Sequence, residues 1–224
     1  FTPYNVIDNN FFLSYKSKKI FKYQKYFLCI ARFIKKKNHK KLLEAFEIYK
    51  RNKGKYDLII IGEGPEEKSI NQYIKDSKFS DSIIIESWKQ IDELPEFYKK
   101  AKALILTSSS DQWGLVVNEA MASGTPCIVS KNCGCYIDLI ENSNTGWGFN
   151  SNNSNELANI LKKVDSLSKS ELEVLKKNIK LKISNYNLVK FSNAVEKSIQ
   201  CSFRKKKFSL ISSLTSYILF KLKK

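Results

Sequence analysis

The chain has 224 residues, 42% of them hydrophobic and 12% aromatic, which is enough to bury one substantial core and too apolar for a disordered polymer. Its 39 Lys and Arg against 22 Asp and Glu give a formal charge of +17. Such a field attracts nucleic acid, phosphorylated ligands or acidic lipid surfaces, or reflects only a Lys- and Asn-rich composition.

No run of about 18 or more uncharged apolar residues could span a bilayer as a helix, and no secretory signal is present. A start at Phe1 rather than Met predicts a fragment or a processed product. The five cysteines, at 29, 127, 133, 135 and 201, lack the rhythm of a secreted scaffold and fit a reducing cytosol. Cys133-Gly-Cys135 and the single histidine, His39, supply too few ligands for a metal centre, so no metal is expected.

In chain order, Phe1 to Tyr15 is Asn- and Phe-rich and reads as an extended linker. Short β-rich apolar runs then alternate with longer amphipathic stretches, the pattern of parallel strands joined by crossover helices. Strands are predicted at Tyr26 to Ile30, Tyr56 to Ile61, Ile83 to Glu86, Ala103 to Leu106 and Cys127 to Val129. Between them, helices are predicted at Asn38 to Asn52, Pro65 to Lys75, Asp92 to Lys100 and Leu115 to Ala122, with Pro65 in a first turn. Three more follow at Asn155 to Val164, Lys169 to Ile183 and Leu188 to Gln200. The fold class is therefore α/β, a Rossmann-like parallel sheet with helices on both faces.

In such a sheet, ligands bind beyond the carboxyl ends of the strands. After the first strand, Arg32 and Lys37 border a helix start; they can neutralise a diphosphate, Arg as a planar fork and Lys as a point charge, or form a solvated basic loop. Gly62-Glu-Gly-Pro65 is a tight turn that lets backbone approach a ligand, although an ordinary strand-to-helix turn needs the same residues. Trp88 and Lys89 follow the third strand, where the indole suits either a nucleobase or the core. After the fourth, Asp111 precedes a helix opened by Gly114, and Glu119 lies inside that helix. Two carboxylates eight positions apart can bracket a polyhydroxylated ligand, or Asp111 can cap the helix while Glu119 stays solvated.

Taken together, these motifs resemble the C-terminal domain of family 4 glycosyltransferases of the GT-B fold, over about residues 4 to 200. Asp111 to Glu119 is similar to the family's Glu-x7-Glu motif, Arg32 and Lys37 to its diphosphate-binding pair, and Gly62 to Pro65 to its Gly-x-Gly-Pro turn. Gly134 to Asn142 and Thr145-Gly146 resemble the segments that follow, and Tyr4 to Phe11 resembles the interdomain linker. The resemblance implies that Arg32 and Lys37 hold the donor diphosphate, Glu119 takes the ribose hydroxyls and Asp111 contacts the transferred sugar. Backbone amides of Gly114, Leu115 and Val116 would face sugar and phosphates, and Trp88 and Lys89 would border the base. It further implies retaining transfer without a metal or other cofactor. Two residues depart from the family pattern: Asp111 is one methylene shorter than the usual Glu, and Ala31 replaces Gly before the Arg.

The expected organisation is an interdomain linker at 1–15, a nucleotide-sugar-binding domain at 16–200 and a basic amphipathic tail at 201–224. In the tail, Arg204-Lys-Lys-Lys207 and Lys221-Leu-Lys-Lys224 flank an apolar stretch that suits an anionic membrane surface or a closing helix against an absent domain. Expected partners are a nucleotide-sugar donor, a glycan or lipid-linked acceptor and an acceptor domain in cis or on a separate chain, with a cytoplasmic location peripheral to the membrane. Nucleic acid is not expected, since no recognition motif accompanies the charge.

Overall fold

The computed structural model describes residues 5–16, 21–141 and 144–202; the predicted tail from 203 onward lies outside the described residues. Strands β1 (Tyr26–Ile30), β2 (Asp57–Ile61), β3 (Ile83–Glu86), β4 (Leu104–Leu106), β5 (Cys127–Ser130) and β6 (Gly146–Phe149) form one sheet of order β3-β2-β1-β4-β5-β6. All five pairings are parallel. The chain winds outward from β1 to β3, then returns to the other side of β1 and continues to β6. Its direction reverses between β1 and β4, the place where open parallel sheets form a ligand crevice.

Strands of this kind are buried on both sides, which explains their unbroken apolar runs. Alternate residues feed opposite cores. Leu28, Ile30, Ile59, Leu104 and Val129 face one cluster, against α4 (Leu94–Lys100), α5 (Leu115–Ala122) and α7 (Lys169–Ile183). Phe27, Cys29, Leu58, Ile105 and Ile128 face the other, against α2 (His39–Arg51), α3 (Glu67–Asp76) and α6 (Ser154–Asp165). Burying each large apolar side chain contributes about 1.5–3 kcal/mol, so the helices are held to the sheet mainly by these two layers. Helices on both faces were the sequence expectation, and the structure has them.

The differences from that expectation are local. The segment read as an extended linker contains a short helix, α1 (Asn9–Ser14), capped by Asp8, whose side chain accepts from the Asn10 amide at 3.0 Å. Buried Asn9 donates through Nδ2 to the carbonyls of Ile183 and Tyr186, both at 3.0 Å, fastening α1 to the end of α7. The helix expected at Leu188 to Gln200 is present as α8, at 188–202. Pro65 is not in the first turn of α3. The amide after it, Glu66 N, donates instead to Phe33 O at 2.9 Å, so the helix begins only at Glu67.

β6 escaped prediction because two of its four residues are glycines. Its pattern is nonetheless of period two: Trp147 and Phe149 turn toward α6, while Gly146 and Gly148 make room for Cys127 O and the Tyr136 ring. A Cβ at Gly146 would stand 2.1 Å from Cys127 O.

His39, the first residue of α2, is buried edge-on against Phe33 with ring centroids 5.0 Å apart. Neither of its nitrogens has a hydrogen-bond partner among the described residues. Burial, aided by the nearby Lys37 charge, lowers its pKa from 6.5 to about 4. Below 6.5 the unfolded chain takes up a proton that the folded chain refuses, so stability is full above that value and is lost as pH falls toward 4. Urea denaturation at pH 7 and pH 4.5 should show a loss on the order of 2–3 kcal/mol from this group, and His39→Phe should remove that part of the pH dependence.

Candidate functional site at the strand ends

Because the strands are parallel, the loops after β1, β2, β3, β4 and β5 emerge along one edge. The β1 and β4 loops meet at the winding reversal and are stitched together there. Thr107 Oγ1 donates to Lys37 O at 2.8 Å, Ser109 N donates to Lys36 O at 2.8 Å, and Lys37 Nζ pairs with Asp111 Oδ2 at 2.5 Å. The two charged side chains are only 16% and 13% exposed, so solvent screens them less than an ordinary surface pair, which is worth about 0–1 kcal/mol. Ser108 Oγ donates to the same carboxylate oxygen at 3.2 Å.

Asp111 is further fixed through its backbone: its amide donates to Asn132 O at 3.3 Å and its carbonyl accepts from Gly134 N at 3.0 Å. Three strand ends, those of β1, β4 and β5, therefore converge on this one residue. It does not cap α5, whose N-terminal Gly114 has φ 109° and provides no side-chain cap. The first-turn amides of α5, those of Leu115 and Val116, have no preceding helical carbonyl and are available to an anion. The φ of 109° at Gly114 lies in the region that favours glycine, and a Cβ there would also press on Leu106 Cδ2.

Arg32 is exposed in the same β1 loop. The β2 turn shapes that loop: Phe33 N donates to Glu63 O at 2.8 Å, and a Cβ on Gly62 would lie 2.0 Å from Ala31 O. Gly62 thus acts by close approach to the loop that carries Arg32 and Lys37. Glu63 reaches on to the third loop, accepting from Trp88 N at 3.1 Å. The Trp88 ring is 51% exposed and lies outside the core. Lys89, its neighbour, pairs with Glu86 Oε2 at 2.9 Å. Burial alone would raise the Glu86 carboxyl, but the Tyr23 hydroxyl with Lys89 and Lys22 brings it down to about 2.

Glu119 lies in α5 one turn beyond Leu115 and is half-buried. Its Oε2 accepts from the hydroxyl of Tyr98, on α4, at 2.6 Å. Burial raises its carboxyl above the ordinary range while the Tyr98 hydrogen bond opposes the rise. Sequence reasoning had no role for Tyr98, Ser108 or Asn132. Ser108 was adjacent to the motif, whereas nothing in local spacing couples Tyr98 to Glu119 across 21 positions.

Cys133 and Cys135 are buried, and burial pushes the Cys133 thiol up to about 12 and Cys135 up as well. They pack as apolar residues. Elsewhere, a concavity of about 600 Å³ opens between α2, α3 and the β6–α6 turn. Its charged groups are already satisfied, Glu44 by Lys41 at 2.7 Å and by Ser154 at 2.8 Å, and Glu47 by Arg51 at 3.2 Å. The strand-end edge, with its open helix terminus and convergent side chains, is the better site.

A basic loop, a helix start without a side-chain cap and a carboxylate thus meet at the winding reversal of one parallel sheet. The chain belongs to the family described as Glycosyl transferases group 1, which matches residues 12–184. Among curated proteins, it is 30% identical over 65% of its length to N-acetyl-alpha-D-glucosaminyl L-malate synthase of Bacillus anthracis, covering 39% of that protein. It is 30% identical over 49% of its length to alpha-monoglucosyldiacylglycerol synthase of Streptococcus pneumoniae, covering 25% of that protein. The chain thus spans well under half the length of these relatives. Solved structures share the fold: a glycosyltransferase from Rickettsia africae superposes with a TM-score of 0.76 at 16% identity, over 88% of this chain and 54% of that one. HepE of Anabaena, in complex with UDP, gives 0.73 at 17% identity, over 88% and 56%.

Substituting Gly62 tests how tightly the β1 and β2 loops are packed. Gly62→Ala should destabilise the domain by about 1–3 kcal/mol, the usual range for overpacking, and lower the thermal midpoint measured by circular dichroism.

Proposed function

We propose that this chain is the donor-binding half of a retaining glycosyltransferase that moves a sugar from a nucleoside-diphosphate sugar to a glycan or lipid-linked acceptor. The observation that carries this reading is the convergence of Lys37, Asp111 and the open first turn of α5 across the β1–β4 crevice. In the reaction, negative charge grows on the departing diphosphate. Arg32, Lys37 and the amides of Gly114, Leu115 and Val116 are the groups to stabilise it, acting as charges and dipoles fixed before the reaction begins.

The Lys37–Asp111 pair gives donor binding an exchange character. A phosphate oxygen takes over the ammonium, and Asp111, held in place by its backbone contacts, is released to accept from a sugar hydroxyl. Glu119 accepts from the ribose hydroxyls and the exposed Trp88 borders the base. Transfer with retention, independent of a metal, is carried by the likeness of Asp111 to Glu119 to the family motif.

The relatives favour particular probes. The HepE structure is a complex with UDP, and one relative is named for a glucosylated diacylglycerol. With the basic segments Arg204 to Lys207 and Lys221 to Lys224, the latter supports an acceptor at an anionic membrane surface, with the protein peripheral on its cytoplasmic side.

A thermal-shift screen of UDP-, GDP- and ADP-sugars tests the reading. At a ligand concentration about 100-fold above Kd, the matching donor should add about 2.7 kcal/mol, a rise of about 5–10 °C for a domain of this size. Arg32→Ala and Glu119→Ala should each cut that rise by half or more at the same concentration. If no nucleotide-sugar stabilises the protein, the proposal fails.

A further inference from the structure

The carboxylate of Glu119 is held from inside the protein. Tyr98 has no solvent exposure, and its phenol, with one proton to donate, gives it to Glu119 Oε2 at 2.6 Å. The stretch of α4 from which the phenol reaches is itself anchored, because Thr125 Oγ1 donates to Tyr98 O at 2.6 Å. On the other side, Glu119 shares a helix face with Leu115, which is 43% exposed near the strand-end edge. Oε1 of Glu119 accepts no hydrogen bond among the described residues. One oxygen is thus fixed by the core, and the other has no such partner among the described residues.

We infer that Tyr98 is a positioning residue for nucleotide recognition: it holds one oxygen of Glu119 from the core so that the other meets the ribose hydroxyls of a nucleoside diphosphate. This rests on the donor-site reading above and adds to it a residue outside every motif in the sequence. A carboxylate pinned at one oxygen has lost most of its rotamer freedom before the ligand arrives, so less order is lost on binding. The hydrogen bond also favours the ionised form, which accepts from two hydroxyls where a protonated carboxyl accepts less well. A tyrosine that merely filled the core would leave ribose selectivity untouched when its hydroxyl is removed.

The test is isothermal titration of the chain and of Tyr98→Phe with UDP, GDP, ADP and their 2′,3′-dideoxy analogues. Wild type should bind one of the three diphosphates at least about tenfold more tightly than its dideoxy form, a difference of about 1.4 kcal/mol. Tyr98→Phe should bind the dideoxy form as wild type does, while its preference for the ribose form shrinks to about threefold or less. A full preference retained by folded Tyr98→Phe overturns the positioning role and leaves the donor site standing. Wild type that binds ribose and dideoxy forms equally overturns the inference through Glu119, and wild type that binds none of the three diphosphates overturns the donor site with it.

Should Tyr98→Phe not fold, the chain labelled with 3-fluorotyrosine reports on the same contact by fluorine NMR. The Tyr98 resonance, identified by its shift in Glu119→Gln, should move with the ribose nucleotide and not with the dideoxy form. A resonance that responds equally to both overturns the role.

Discussion

The stitch between the β1 and β4 loops is the interaction on which the functional edge depends. At the winding reversal, the strands themselves are joined by little ladder, with Leu28 opposite Leu104 as their paired register. The loops above them are joined by backbone, hydroxyl and charge contacts all at once. Topology opens a crevice at this point, and the stitch sets its width. The result is a cation and an anion facing each other at the mouth of a helix whose first amides are unclaimed.

The remaining loops support this arrangement by different means. Gly62 and Gly64 bring the β2 turn against Ala31 and Phe33, closer than any side chain would allow. Glu63 then passes the constraint to Trp88. Asn132 and Gly134, after β5, fix Asp111 from the opposite side. Asp111 is shorter than the glutamate usual at its position in the family it resembles, and its carboxylate nevertheless spans to both Lys37 and Ser108.

The sequence revealed the architecture well because its signals are strong and short-range. Runs such as Leu58-Ile-Ile-Ile61 leave few choices besides a strand buried on both faces, and Gly114 before Leu115 marked a helix start that the structure has at the same residue. The edge strand Gly146–Phe149 was hidden because its two glycines suppress the apolar run, although its aromatics alternate. At the site, residues adjacent to the motifs were legible. Tyr98 was not, because a buried phenol reads like any core aromatic until its long-range partner is known, and Lys89 gave no hint that Glu86 would pair with it.

The fastening of α1 by Asn9 to the end of α7 has a dynamic consequence. It joins residues 174 positions apart through one side chain that bridges two carbonyls. Local opening commonly starts where an end of a fold frays alone. Here the first and the late helices are bound to each other, so neither can loosen without releasing the other, and opening at the two ends becomes a single coupled event.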